Sequence, residues 1–453
     1  KFATASVLAT MAAAVSAAPT ETDRRVGAIV GAFVADAAVM PLHWIYDTAE
    51  IARLVGDTEP EFHNPPSCPF YNYSLGENTQ YGQQGRTYLQ SIAENGWDPK
   101  TQQSAYFDFY GAKDAPCALH ATEEVPCPPA QPNVTCCYWD FSTIVFVDNV
   151  RTNKTCLEDL SCGADDTQAN ALAHMIIPAA RGGDNITAIL QDTNDLVRIT
   201  QNEDDAVAFA TAGARILNNA IHGQSVELIA HAPAALLGRN LWWLLFLLNV
   251  LPHVLFFFPS QASDSVRSAI NDLLQVDRVP KQQEDFVLAA GLHLVLEEID
   301  MPNINVTMQV EQSCDYPNNL FSGAHILNQV MAPGTAGYDN ATEAYINATR
   351  QLIRFVKSQS DHAQSPASII STEWVCVCLG RGDQASRSMF VGSVLGAIAG
   401  ESGIPESWKR SVPSDPLIGL VVVHSDGVHC RLFMQTNNHY DDVLAWAKKI
   451  VAK

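Results

Sequence analysis

The sequence predicts an all-α protein. Three observations carry that expectation. Apolar residues recur at helical spacing, strand-type alternation is scarce, and many segments end at residues that start or stop helices. Hydrophobic residues make up 47% of the 453 residues. A chain of that length and composition buries a large core.

In order along the chain, residues 25–39 (RVGAIVGAFVADAAV) are apolar and rich in small residues, which suits a closely packed buried helix. Pro41 ends it. Residues 85–95 read as a helix stopped at Asn95-Gly96. Residues 99–140 read as loop, since Pro116, Pro126, Pro128, Pro129 and Pro132 interrupt them. Residues 165–179 read as a helix that Asp165 or Asp166 is able to cap. Residues 187–199 and 203–222 form an amphipathic pair that stops at Gly223. Helices over 284–299, 341–352, 389–401 and 440–452 complete the set.

Three stretches interrupt this pattern, near 236–262, 352–380 and 411–436. The first, LLGRNLWWLLFLLNVLPHVLFFFPSQA, approaches the length of a membrane span, but Pro252 and His253 break it and no basic flank orients it. Each stretch separates segments that read well when joined. Some or all are read as intrusions of translated non-coding sequence, or else they are real inserted loops or a buried hairpin. On the first reading, residues 25–453 form one domain with a Cys/Pro-rich loop at 111–162.

Charge narrows the function. With 27 Lys plus Arg against 49 Asp plus Glu, the net charge is −22. Such a balance excludes nucleic acid as the main partner and argues against a polybasic membrane-surface role. No membrane partner is expected, and oligomeric state stays open.

Compartment is legible at the N-terminus. Residues 1–18 combine a basic start, an apolar Ala-rich run and small residues near Ala17 or Ala18, the pattern of a secretory signal. Asn-x-Ser/Thr sequons begin at Asn72, Asn133, Asn153, Asn185, Asn305, Asn340 and Asn347. Of 11 cysteines, Cys117, Cys127, Cys136, Cys137, Cys156 and Cys162 crowd one region. In an oxidising compartment they read as a disulfide framework, with a zinc site as the rival. Cys376, Cys378 and Cys430 fall in the interrupting stretches, and eight remain without them. A secreted protein is the expectation.

Four segments are able to carry chemistry. Asp36 is an acid within an apolar helix, so it needs a partner, either as structural acceptor or as site residue. His43 and Trp44 follow that helix, where a pocket rim fits. Gly82-Gln83-Gln84-Gly85 opens a helix whose N–H groups are able to hold a polar ligand or simply form its first turn. Asp165 and Asp166 precede a helix, as cation or ribose ligands or as caps. Arg381-Gly382-Asp383 leads through Ser386 and Arg387 into an apolar helix with Gly392 and Gly396, where small residues permit close approach.

Taken together, GAFVADAAVMPLHW (31–44) and RGDQASRSMFVGSVLGAIAG (381–400) resemble the ADP-ribosylglycohydrolase family. Its opening helix has the form G-A-x-x-G-D-A-x-G-x-P-x-E-W, and its closing site reads G-G-D-T-D-T before an apolar G-A-x-x-G helix. The likeness is closer to a divergent branch that includes a lens crystallin. That resemblance implies an all-α orthogonal bundle around a cleft. It implies two Mg²⁺ ions and cleavage of an N- or O-glycosidic bond of a small ADP-ribosyl or ribosyl ligand.

Residue by residue, Asp36 matches the buried Asp of the opening helix, and His43 stands where a metal-binding Glu is usual. Gly82-Gln83-Gln84 falls where Thr-Asp-Asp is usual. Asp383 is retained, while Ala385 and Ser386 replace the following Asp and Thr. The expected catalytic residues are Asp36, Asp383, Asp165 and Asp166. The expected ligand-binding residues are His43, Trp44, Gln83, Gln84, Ser386 and Arg387, and the expected metal ligands are Asp383, Asp165 and Asp166. A catalytically inactive ligand-binding or structural protein is the alternative.

Overall fold

The structure is a computed structural model. It describes residues 18–45, 47–69, 73–112, 119–121, 136–153, 155–166, 168–223, 335–353, 384–412 and 440–452, with isolated residues between 319 and 331. The expected helix at 284–299, the stretch 236–262 and nearly all of the other two interrupting stretches lie outside them. Helices below are numbered among the described residues.

The all-α expectation holds. The central element is α1, Glu21–Val39, started by Thr20, whose side chain accepts from the Asp23 amide. From Val26 onward every α1 residue is buried. It is extended by a 3-10 turn over Met40–Leu42, and its most apolar 18-residue stretch is 94% buried. Among the described residues it is the one helix long and apolar enough to cross a membrane, yet its apolar surface is already covered by protein.

What covers it is chiefly α13, Gln384–Ala399. The two run antiparallel, with Gly27 opposite Gly396 and Gly31 opposite Gly392. A Cβ built on Gly396 would lie 2.2 Å from the Gly27 carbonyl oxygen, and one on Gly31 would lie 2.4 Å from that of Gly392. Only glycine lets the two backbones approach so closely. The small-residue composition read from both segments therefore becomes one tight helix crossing. It begins five residues earlier on α13 than the expected start at 389.

The remaining helices close around this pair. They are α2 (Thr48–Val55), α3 (Gln80–Asn95), α4 (Pro99–Tyr110), α5 (Phe141–Thr152) and α6 (Cys156–Asp159). Then come α7 (Asn170–His174), α8 (Ile176–Arg181), α9 (Ile186–Arg198) and α10 (Asp204–Ile221). The last are α11 (Ala336–Asp339), α12 (Ala341–Ile353), α14 (Glu406–Ser411) and α15 (Tyr440–Val451). Arg25 ties two of them to α1, donating to Ala180 O at 2.6 Å, Arg181 O at 2.5 Å and Val451 O at 3.2 Å. A cation at the C-terminal ends of α8 and α15 offsets their carbonyl dipoles. The Tyr345 hydroxyl donates to Gly31 O at 2.6 Å and holds α12 against α1.

Several expectations are corrected. Residues 99–140 are not loop throughout, because α4 occupies 99–110 with Pro99 in its first turn and Asp98 accepting from the Thr101 amide. Proline in a first turn has no amide to lose, so it starts this helix rather than breaking it. Within 111–162, α5 and α6 are helical, and the Cys156–Cys162 disulfide closes over α6 and the turn that follows it. The expected helix at 165–179 is two short ones, α7 and α8, beginning at Asn170. Among the described residues the non-helical pairing is a pair of three-residue parallel strands, Leu119–Ala121 and Cys136–Tyr138, and an isolated bridge between Ala164 and Gln201.

Candidate functional site

Asp36 sits in the last turn of α1, fully buried. Its carboxylate accepts from Asn78 Nδ2 at 2.9 Å, from the Thr79 amide at 2.9 Å and from Thr79 Oγ1 at 2.6 Å. Thr79 is the N-cap of α3, and its own side chain caps nothing. Asp36 thus accepts, from another helix, the N-cap amide that an N3 Glu or Gln takes in a capping box. A Cβ on Gly82 would stand 2.4 Å from Asp36 Oδ2, so glycine there lets α3 start against the carboxylate. The three donors satisfy Asp36 as a scaffold.

One turn further along α3, Gln84 enters a second buried network. Its Nε2 donates to Asp140 Oδ2, and its Oε1 lies 3.1 Å from His174 Nε2. Asp140 is the N-cap of α5, with Oδ1 accepting from the Thr143 amide at 2.8 Å and Oδ2 accepting from Asn170 Nδ2 at 2.9 Å. Burial pushes the Asp140 carboxyl up to about 6, and the nearby Asp166 charge adds to the rise. Burial holds the His174 imidazole down near 3, so it is neutral. With Gln84 donating to Asp140, its oxygen is left as acceptor, and His174 Nε2 carries the hydrogen. Among the described residues, His174 Nδ1 and Asn170 Oδ1 are then buried acceptors with no partner.

Asp166 receives the Ser142 hydroxyl on Oδ2 and the Gln168 amide on Oδ1 at 3.2 Å. It is buried, whereas Asp165 beside it is exposed. The two neighbours therefore do not form one cation site, and neither caps α7. Asp166 instead joins Asp140, Gln84, His174, Asn170 and Ser142, brought together from α3, α5, α7 and the segment before α7.

A third cluster borders these. His43 is fully buried and stacks on Trp44, with centroids 4.3 Å apart. Trp44 meets Tyr138 edge-on at 4.6 Å. Its φ of 60° lies in the left-handed region, a strained setting for a bulky side chain. The Tyr73 hydroxyl contacts Gln83 Oε1 at 3.5 Å and the Tyr138 amide at 3.0 Å. His43 and Trp44, expected at a pocket rim, are both buried. Ser386 and Arg387 are buried in the first turn of α13, and Asp383 lies outside the described residues.

Sequence reasoning missed Asp140 and His174. The signal for Asp140 was local: an acid directly before the helical run at 141–152 is an N-cap pattern. Its place in the Cys/Pro-rich stretch hid it. His174 was concealed in an apolar run, where a histidine carries no distinguishing mark.

The donor set decides on the implied metal. Hard divalent cations take oxygen ligands, mainly carboxylates. At the matching positions stand a stacked His43 and the amides of Gln83 and Gln84, whose ends are already engaged. Among the described residues this set does not fit a dinuclear Mg²⁺ centre. A different carboxylate/imidazole group does occur, where ligand atoms of Glu21, Asp184 and His222 lie within 4.8 Å of one another. Glu21 begins α1, and Asp36 is fifteen residues on, about 22 Å along the helix axis.

Comparison with known proteins adds the lineage. The family model described as ADP-ribosylglycohydrolase matches residues 17–319. Crystallin J1A of Tripedalia cystophora is 29% identical over 208 residues, 45% of this chain and 61% of the relative. Crystallin J1B of the same organism is 29% identical over 218 residues, 47% of this chain and 64% of the relative. The chain therefore spans less than two thirds of the length of the curated relatives it matches. A solved structure titled "ADP-ribosylglycohydrolase-related protein complex" covers 95% of this chain and 98% of its own, at 15% identity and a TM-score of 0.47. On the extent of the family match, the chain belongs to the ADP-ribosylglycohydrolase family.

Proposed function

We propose that the protein is a glycosidic-bond hydrolase of the ADP-ribosylglycohydrolase type, acting on an ADP-ribosyl or related ribosyl compound in the secretory pathway. The observation that carries this reading is the coupled carboxyl pair of Asp140 and Asp166. Cleavage of a glycosidic bond needs two carboxyl groups in different protonation states, one to give a proton and one to stay charged. Asp140, raised to about 6, is protonated over part of the physiological range. Asp166 is the less buried of the two, at 8% exposure against 1%, and we assign it to meet substrate. It would orient water or face the developing positive charge on the sugar. Asp140 would supply the proton that the leaving group takes, and its charge state would set that of Asp166. Asp383, the carboxylate retained from the family motif, belongs to the same proposal. No step runs through a metal.

The test is release of free ADP-ribose from arginine- and serine-linked ADP-ribosyl peptides, with and without Mg²⁺. Turnover is expected in wild type and is lost in Asp166→Asn. Absence of turnover from every substrate overturns the reading.

A second reading is favoured by the amides at Gln83 and Gln84 and by the crystallin relatives. In it the chain keeps the family frame as a ligand-binding or structural protein. Calorimetry showing ADP-ribose bound but not cleaved supports this alternative. Secretion is supported by the leader-like residues 1–18, the sequons and the Cys156–Cys162 disulfide.

A further inference from the structure

The sequons were read together as a sign of compartment, but the fold treats them differently. Asn153 follows the last turn of α5, Asn185 is the N-cap of α9, and Asn340 precedes α12. All three are exposed. In each, the amide oxygen is the working atom. Asn153 Oδ1 accepts from the Thr155 amide at 3.3 Å and from Thr155 Oγ1 at 2.6 Å. Asn185 Oδ1 accepts from the Ala188 amide at 3.1 Å. Asn340 Oδ1 accepts from the Thr342 amide at 3.1 Å and the Glu343 amide at 3.4 Å. Among the described residues, Nδ2 of none of the three makes a hydrogen bond. Asn347 differs: it lies half-buried inside α12, and its sequon partner Thr349 is 1% exposed with its hydroxyl turned back to Tyr345 O at 2.9 Å.

We infer that Asn153, Asn185 and Asn340 each carry an N-linked oligosaccharide and that Asn347 stays bare. This rests on the secretory reading above. The donor is a lipid-diphosphate oligosaccharide. Asn Nδ2 loses one proton and bonds to C1 of the first sugar, the C1–O bond breaks, and lipid diphosphate leaves. The product is still an amide with its carbonyl oxygen free to accept. The turns and helix starts held by Oδ1 therefore survive the modification, because the atom that reacts is not the atom that caps. At Asn185 a surface groove lined by Ile92, Trp97, Arg181, Ala188 and Ile450 adjoins the amide, so room for the first sugar is already present. At Asn347 the sequon is wound into a continuous helix, which withdraws its hydroxyl.

The experiment expresses the chain from Ala18 onward behind an unrelated cleavable leader in a eukaryotic host, beside the chain with residues 1–18 intact. Lumenal and secreted pools are digested with peptide-N-glycosidase in heavy-oxygen water and mapped by mass spectrometry. Asn153, Asn185 and Asn340 should appear as heavy-labelled Asp, and Asn347 as Asn. Thr155→Ala, Thr187→Ala and Thr342→Ala should each remove one oligosaccharide mass, and Ser at the same position should restore it. An unmodified Asn at any of the three sites in the lumenal pool, or a label at Asn347, overturns the inference. Glycosylation behind the unrelated leader only, with unmodified protein from the chain carrying residues 1–18, overturns the secretory reading and leaves the site assignment standing.

Discussion

Asp36→Ala separates a scaffold from a catalyst. The wild-type carboxylate, fully buried, accepts three hydrogen bonds from Asn78 and Thr79. Removing it leaves those donors without their acceptor. Asn78 Nδ2 retains a bond to Phe33 O at 2.8 Å, so two donors on Thr79 are stranded outright. A stranded buried donor costs about 1–3 kcal/mol, and the loss of a helix cap is included in that cost. The expected destabilisation is about 4 kcal/mol, taking roughly 2 kcal/mol for each stranded donor. At about 2 °C per kcal/mol for a large domain, Tm should fall by about 8 °C. The assay is thermal unfolding followed by circular dichroism, alongside ADP-ribose release measured well below Tm. Asp36→Asn keeps one oxygen acceptor and should lose less. A variant with wild-type Tm and no activity would refute the scaffold role and return Asp36 to the catalytic set that the sequence suggested.

The other predictions concern packing, protonation and metal. Gly396→Ala puts a Cβ 2.2 Å from the Gly27 carbonyl oxygen, so α1 and α13 must separate. A loss of about 3 kcal/mol in urea unfolding is expected, and a neutral variant would contradict the close crossing. Asp140 titrates at about 6 in the folded protein against an ordinary 3.8. The folded state thus keeps a proton that the unfolded chain releases, and stability falls as pH rises through that window, by about 3 kcal/mol in total. Unfolding midpoints for wild type and Asp140→Asn should diverge progressively across it, and a constant difference would rule out the raised carboxyl. Chelation followed by Mg²⁺ addition should leave ADP-ribose release unchanged. A Mg²⁺ requirement that Asp383→Ala abolishes would show that the cleft assembles a metal site despite its amides.

Much of the fold was legible because helix signals are local. The apolar run at 25–39, the stops at Asn95-Gly96 and Gly223 and the terminal run at 440–452 each depend on a few neighbouring residues. The missed elements have equally local reasons. Pro99 was counted with the loop prolines although it stands in a first turn, and α3 and α13 each start five residues before their apolar periodicity becomes clear, in polar first turns.

By itself, the sequence determined the helical class, the acidic character and the family motifs, since these depend on composition and short-range order. It also determined that amides replace acids at Gln83 and Gln84. Only the tertiary structure decided what the polar residues do. Asp36 caps α3 across 43 positions of sequence, and Gln84 reaches Asp140 and His174 across 56 and 90. A carboxylate inside an apolar helix requires partners, but burial, and with it the pKa of Asp140 and the engagement of Asp36, exists only once distant segments exclude water together.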